Sequence, residues 1–115
     1  QYCGAAASGG RVVFAPRNAD SVGVFDVANR TFSAVDTSAT ISSNNKYCGA
    51  ATTASGLVVF APFGARNVGL FDPLSETFSV VDFSGGYQWG RWASRHREAL
   101  VRVVDLSLLR ERRLI

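Results

Sequence analysis

Gly10-Arg11-Val12-Val13-Phe14-Ala15-Pro16 and, 46 residues further on, Gly56-Leu57-Val58-Val59-Phe60-Ala61-Pro62 are two copies of one apolar segment held between a glycine and a proline. Self-similarity at a fixed period is sought first, because it decides the architecture before any single residue is interpreted. Upstream, Tyr2-Cys3-Gly4-Ala5-Ala6 returns unchanged as Tyr47-Cys48-Gly49-Ala50-Ala51, at an offset of 45. Downstream, Thr31-Phe32-Ser33 returns as Thr77-Phe78-Ser79, and residues 10–36 match residues 56–82 at 16 of 27 positions. The one inserted residue falls in the Ala/Ser/Thr stretch before Gly56, where a turn absorbs it.

Within each copy the punctuation cuts about 46 residues into four segments rich in Val, Phe, Tyr and Thr. Each is too short for a stable helix, so all four read as strands. In the second copy the first runs from Tyr47 to about Thr53, and Ser55-Gly56 turns it into Leu57–Ala61. Pro62 ends that strand, since it cannot donate a ladder hydrogen bond. The third is Asn67–Phe71, and Asp72-Pro73-Leu74-Ser75 is a turn in which Asp accepts from the following backbone and Pro presets φ. Thr77–Val81 is the fourth, and the first copy follows the same course with Asp26-Val27-Ala28-Asn29 at that turn.

A four-stranded meander recurring every 40 to 50 residues is the sequence form of a β-propeller blade, whose sheets pack face to face. The nearly continuous run Val12-Val13-Phe14-Ala15 fits a strand covered on both faces. Gly4, Gly23, Gly49 and Gly69 lie inside strands, where crowding of neighbouring backbone near a central axis would account for them. The expected fold is all-β: two four-stranded antiparallel blades of an incomplete propeller, followed by an Arg-rich tail. The expected divisions are residues 1–46 (first blade and linker), 47–86 (second blade) and 87–115 (basic, non-repeating tail).

The order Gly10-Arg11-Val12-Val13-Phe14, Asn18, Ser21-Val22-Gly23-Val24-Phe25-Asp26, Thr31 resembles YVTN-type repeats and the related NHL and SMP-30-like propeller repeats. The resemblance covers residues 2–86. Phe-Ala-Pro stands where YVTN repeats show Tyr-Val-Ala, and the kelch double glycine and the WD dipeptide are absent. The resemblance implies a disc of six or seven blades that binds ligands at one face near a central channel. Two blades cannot close such a disc, since roughly four to eight are needed. Further blades are therefore expected as partners, preferentially from a longer chain, otherwise from self-association of several copies.

Charge narrows the partners. Residues 1–86 carry five bases and six acids, whereas residues 87–115 carry seven arginines against Glu98, Asp105 and Glu111. The net +3 thus belongs to the tail, and the repeats offer no electrostatic footprint for nucleic acid. No apolar run approaches the ~20 residues of a spanning helix, and Gln1-Tyr2-Cys3 does not begin a signal peptide. The chain contains no Met and opens within a first strand, which suggests a piece of a larger protein and leaves localisation unknown.

The candidate chemistry is sparse. Cys3 and Cys48 recur by duplication, so the expectation is two small buried residues, with a disulfide as the alternative; a spacing of 45 makes no zinc pattern. Asp26, Asp72, Asp36 and Asp82 close strands and read as structural. His96, the one histidine, lies among arginines with no nucleophile arranged around it. Hydrolase nucleophile elbows, phosphate loops and metalloprotease motifs are missing. The expectation is no catalytic residue, no metal and no cofactor in this chain.

The copies disagree most in the loop between second and third strands, where Arg17-Asn18-Ala19-Asp20-Ser21 becomes Phe63-Gly64-Ala65-Arg66-Asn67. In propellers this loop shares one face of the disc with the linker into the next blade, here Thr37 to Lys46 with Ser42-Ser43-Asn44-Asn45, followed by Tyr47. Arg17, Asn18, Asp20, Tyr47, Arg66 and Asn67 are therefore the candidate ligand-binding residues, for an unidentified protein or small molecule. The first expectation is a non-catalytic binding or scaffold module within a larger propeller. The alternative is part of an SMP-30-like propeller hydrolase or lyase whose active residues lie on other blades. Beyond Trp92 the tail has no Gly or Pro up to Arg113, and Trp92, Ala99, Leu100, Val103, Leu106 and Leu109 fall near helical spacing, so a basic-faced helix or a disordered segment is expected.

Overall fold

The computed structural model describes residues 1–82; the expectations for the tail lie outside the described residues. Eight strands follow one another: β1 (Tyr2–Ser8), β2 (Arg11–Pro16), β3 (Ser21–Asp26), β4 (Thr31–Asp36), β5 (Tyr47–Thr52), β6 (Val58–Pro62), β7 (Asn67–Asp72) and β8 (Thr77–Asp82). They form two four-stranded antiparallel sheets in sequential order, β1-β2-β3-β4 and β5-β6-β7-β8. Among the described residues there is no helix.

Local chemistry sets each reversal. Ser8 pairs with Arg11 across Gly9-Gly10, whose φ values of 55° and 79° are those of a two-residue hairpin turn that only glycine adopts without cost. Asp26 Oδ1 accepts from the Asn29 amide at 3.2 Å, and Asp72 Oδ1 accepts from the Leu74 amide at 3.0 Å. The equivalent residues Arg30 and Glu76 then both take φ 55° to re-enter β4 and β8. The copies thus share backbone geometry even where their turn sequences differ.

Strand alternation assigns two faces to each sheet. In the first, Val13 pairs with Val24 and Val22 with Val35 on one face, while Val12 pairs with Phe25, Phe14 with Gly23 and Phe25 with Phe32 on the other. In the second, Val58 pairs with Phe71, Phe60 with Gly69 and Phe71 with Phe78 on one face, and Val59 pairs with Leu70 on the other. The core joins unlike faces: Val13, Ala15, Val22 and Val24 of the first sheet meet Tyr47, Val58, Phe60 and Phe71 of the second. The packing is head to tail. The backbones come closest where β5 lies against β1 and β2, so the aromatic rings fill the space farther out.

The closest approach has a specific cause. Both first strands carry a register irregularity at Cys-Gly, between Tyr2 and Ala5 and between Tyr47 and Ala50. Gly4 and Gly49 there take φ values of 85° and 101°, and a Cβ on Gly4 would lie 2.6 Å from the Gly49 Cα. No side chain fits, in agreement with the crowding expected of these two glycines. Gly23 and Gly69 have a different reason: the space beside them is filled by rings, not backbone. A Cβ on Gly23 would stand 2.9 Å from Phe32, and one on Gly69 3.0 Å from Phe60 and 3.1 Å from Tyr47.

The same approach corrects the reading of the cysteines. Cys3 and Cys48 are bonded to each other, with their Cα atoms 4.7 Å apart. Duplication accounts for their recurrence, but it also sets two equivalent thiols on adjacent first strands, within the 4.4–6.8 Å range typical of disulfides.

Candidate functional site

At one end of the sheets, the loop from β2 to β3, the linker from β4 to β5 and the loop from β6 to β7 are joined by hydrogen bonds. The residue preceding each first strand acts as a hub. The Gln1 carbonyl accepts from the amides of Arg17 at 3.0 Å, Asn18 at 3.0 Å and Ala19 at 3.3 Å; the Lys46 carbonyl accepts from Phe63 at 2.9 Å and Ala65 at 3.2 Å. These loops are therefore shaped by backbone bonds common to both copies, which frees their side chains to differ.

The differing side chains meet across the junction. Arg17 Nε donates to Asn45 Oδ1 at 3.2 Å, the Asn45 amide donates to Asn18 Oδ1 at 2.8 Å, and the Lys46 amide donates to the Arg17 carbonyl at 2.8 Å. The Arg17 guanidinium lies 5.0 Å from the centre of the Phe63 ring, an arrangement favoured by the ring quadrupole. Lys46 is fully buried; its ammonium donates to the Ser43 carbonyl at 2.8 Å and stands 3.7 Å from Asp20, whose side chain is 56% exposed. Burying that cation demands polar partners, and the linker carbonyl together with Asp20 provides them.

The candidate residues accordingly separate. Arg17, Asn18 and Asp20 come together around Asn45 and Lys46. Arg66 is exposed and has no hydrogen bond or ion pair among the described residues. Tyr47 is fully buried, and its hydroxyl donates to Asn67 Oδ1. Burial, reinforced by the negative charge of Asp82, holds the Tyr47 phenol well above its ordinary pKa. Asn45 and Phe63 join the surface and Lys46 lies beneath it, although none of the three was among the candidates. For Phe63 the signal was present: Phe63 and Arg17 occupy one position in the two copies and differ in every property.

At the opposite end lies a cleft of about 220 Å³ lined by Ser8, Gly9, Arg11, Ser55, Gly56, Asp72, Pro73 and Leu74. It spans the two sheets. Ser8 Oγ donates to the Gly56 carbonyl at 2.7 Å, Thr52 Oγ1 donates to the Ala7 carbonyl at 2.7 Å, and Arg11 Nη1 donates to the Pro73 carbonyl. Pro73 has no amide to offer the Gly56 carbonyl, whereas Val27 at the equivalent position does bond Gly10. Ser8 takes the open acceptor.

The described residues contain no group of three or more His, Cys, Asp or Glu side chains placed to hold a metal ion, and no helix long and apolar enough to cross a membrane. No protein-family model, curated protein or solved structure matches the chain.

Proposed function

We propose that the two sheets are adjacent blades of a β-propeller and that the chain serves as a non-catalytic binding module within a larger disc. The observation that carries this reading is the head-to-tail packing: one face of the first sheet covers the opposite kind of face on the second, an arrangement that repeats without limit until a ring closes. The ligand surface is the loop end around Arg17, Asn18, Asp20, Asn45, Phe63 and Arg66. There the two copies share a backbone and differ in side chains, as expected where a rigid scaffold carries variable recognition groups. An aromatic ring, a guanidinium with no partner among the described residues and carboxamides suit a polar ligand with one flat or apolar surface, whether a small molecule or a protein loop.

The test is amide chemical-shift mapping of the whole isotope-labelled chain against a panel of small carboxylates, monosaccharides and short peptides. Saturable shifts concentrated at Arg17, Asn18, Asn45 and Phe63–Asn67 are expected. Shifts confined to the cleft at Ser8, Arg11, Ser55 and Leu74, or no saturable shift with any probe, would overturn the loop-end assignment.

A further inference from the structure

The outer face of the second sheet is closed, and nothing in residues 1–82 closes it. Val59, Ala61, Val68 and Leu70 alternate along β6 and β7 with Val58, Phe60, Gly69 and Phe71, whose side of the sheet meets the first. They are only 1–7% exposed, yet none of the four belongs to the core that joins the two sheets. Each stands 46 residues after Val13, Ala15, Val22 or Val24, which the second sheet covers and which are 0–4% exposed. The footprints agree as well: on both sheets burial spans the second and third strands and fades on the fourth, where Ser33 and Ser79 are exposed. Side chains buried to this degree have packed neighbours on every side.

We infer that residues 83–115 supply those neighbours: the chain leaving β8 turns back over the outer face of β5–β8 as a terminal cap. Order along the chain selects this occupant. The chain leaving β4 returns, as the second sheet, over the outer face of the sheet it has just completed, and the chain leaving β8 meets the equivalent face at the equivalent point. The four residues are buried within a single chain, so their cover lies in that chain, beyond Asp82. The cover is no third copy of the repeat, because 46 residues after Gly56 stands Arg102, followed by Val103-Val104-Asp105-Leu106. It does bring apolar side chains, among them Trp92, Leu100, Val103, Leu106 and Leu109. Charge complements the contact. Residues 47–82 set Arg66 against Asp72, Glu76 and Asp82, whereas residues 87–115 set seven arginines against three acids, and Asp72 shares the outer face with Val68 and Leu70. A following blade would need the same surface. In the disc proposed above, cap and following blade therefore exclude each other, and a chain with its cap seated ends the array at β8.

The experiment uses the full chain, with methyl-labelled and unlabelled protein mixed in equal amounts and isotope-filtered NOE spectra recorded. The methyls of Val59, Val68 and Leu70 are expected to show NOEs to residues 87–115 of their own chain. No NOE to that segment would overturn the inference. So would NOEs that only cross into the unlabelled chain, which would make a second copy the cover. NOEs from Val13 and Val22 to Tyr47 and Phe60 report the packing of the two sheets separately, so failure of the cap is told apart from failure of the head-to-tail arrangement on which the propeller reading stands. Leu100→Asp combined with Leu106→Asp should raise the hydroxyl-radical oxidation of Leu70 severalfold while Val22 keeps its protection. Leu70 remaining as protected as in the parent would again overturn the inference.

Discussion

The Cys3–Cys48 bond closes a loop spanning 45 residues of sequence and joins the two sheets where their backbones are closest. In the chain-entropy treatment a loop of that length restricts the unfolded ensemble by about 4 kcal/mol. Domain stabilities of roughly 0.05–0.15 kcal/mol per residue give about 4 to 12 kcal/mol for a unit of this size, so the bond supplies a large share. The perturbation is the double variant Cys3→Ala with Cys48→Ala, compared with the parent chain under oxidising and reducing conditions. Urea unfolding followed by far-ultraviolet circular dichroism should show the midpoint falling by about 2 M or more, given a slope near 1–2 kcal/mol per M. The reduced parent should match the variant. Gly4 and Gly49 still touch in both, so native contacts change little and the loss lies mainly in the unfolded state. Equal midpoints for all three samples, or two alkylatable thiols in the oxidised parent, would refute the reasoning.

Gly69→Ala places a methyl 3.0–3.2 Å from Phe60, Tyr47 and Phe78, and should cost about 1–3 kcal/mol in denaturant unfolding. Gly23→Ala meets Phe32 at 2.9 Å, but Phe32 can swing outward, so its cost in the same assay should stay under about 1 kcal/mol. Tyr47→Phe removes the donor to Asn67 and should lose about 1–2 kcal/mol at neutral pH. Because the Tyr47 pKa is raised in the folded chain, the unfolded chain ionises first: the stability this group contributes is complete below about pH 10 and declines as pH rises beyond it, a decline that pH-dependent urea titrations should find weakened in Tyr47→Phe. Arg66→Ala should leave stability within about 0.5 kcal/mol, whereas Arg17→Ala, losing Asn45 and the Phe63 ring, should cost about 1 kcal/mol; paired thermal melts distinguish them.

The strands were legible because their boundaries are chemical. Pro16 and Pro62 end β2 and β6, Gly9-Gly10 permits the two-residue turn, and Asp26 and Asp72 draw the chain round into β4 and β8. What crosses from strand to strand was less legible. Gly23 and Gly69 read as sites of backbone crowding, yet they make room for rings contributed by other strands, which becomes visible only once Phe14 is set opposite Gly23 and Phe60 opposite Gly69. The disulfide was hidden for a related reason. Its recurrence has a sufficient explanation in duplication, and sequence spacing carries no trace of the 4.7 Å separation that adjacency of β1 and β5 creates.

At the loop end, composition located the polar residues but not the direction in which each one faces. Tyr47 and Asn67 satisfy each other beneath the surface because Tyr47 shares a face with the buried Phe60 and Phe71. Lys46 departs furthest from its residue type, since lysine is almost never fully buried without a partner, and a polar linker gives no reason to expect otherwise. Its position explains it: it stands where Gln1 stands in the first copy, at the hub whose carbonyl organises the loop, so its side chain is drawn under that loop to the Ser43 carbonyl and Asp20. The groups left facing outward are those with no such obligation, Arg66 and the free edges of Arg17, Asn18 and Phe63. If the loop end is the recognition surface proposed above, it is defined by subtraction: the hydrogen-bonded frame claims the residues that both copies need, and a ligand would meet what remains.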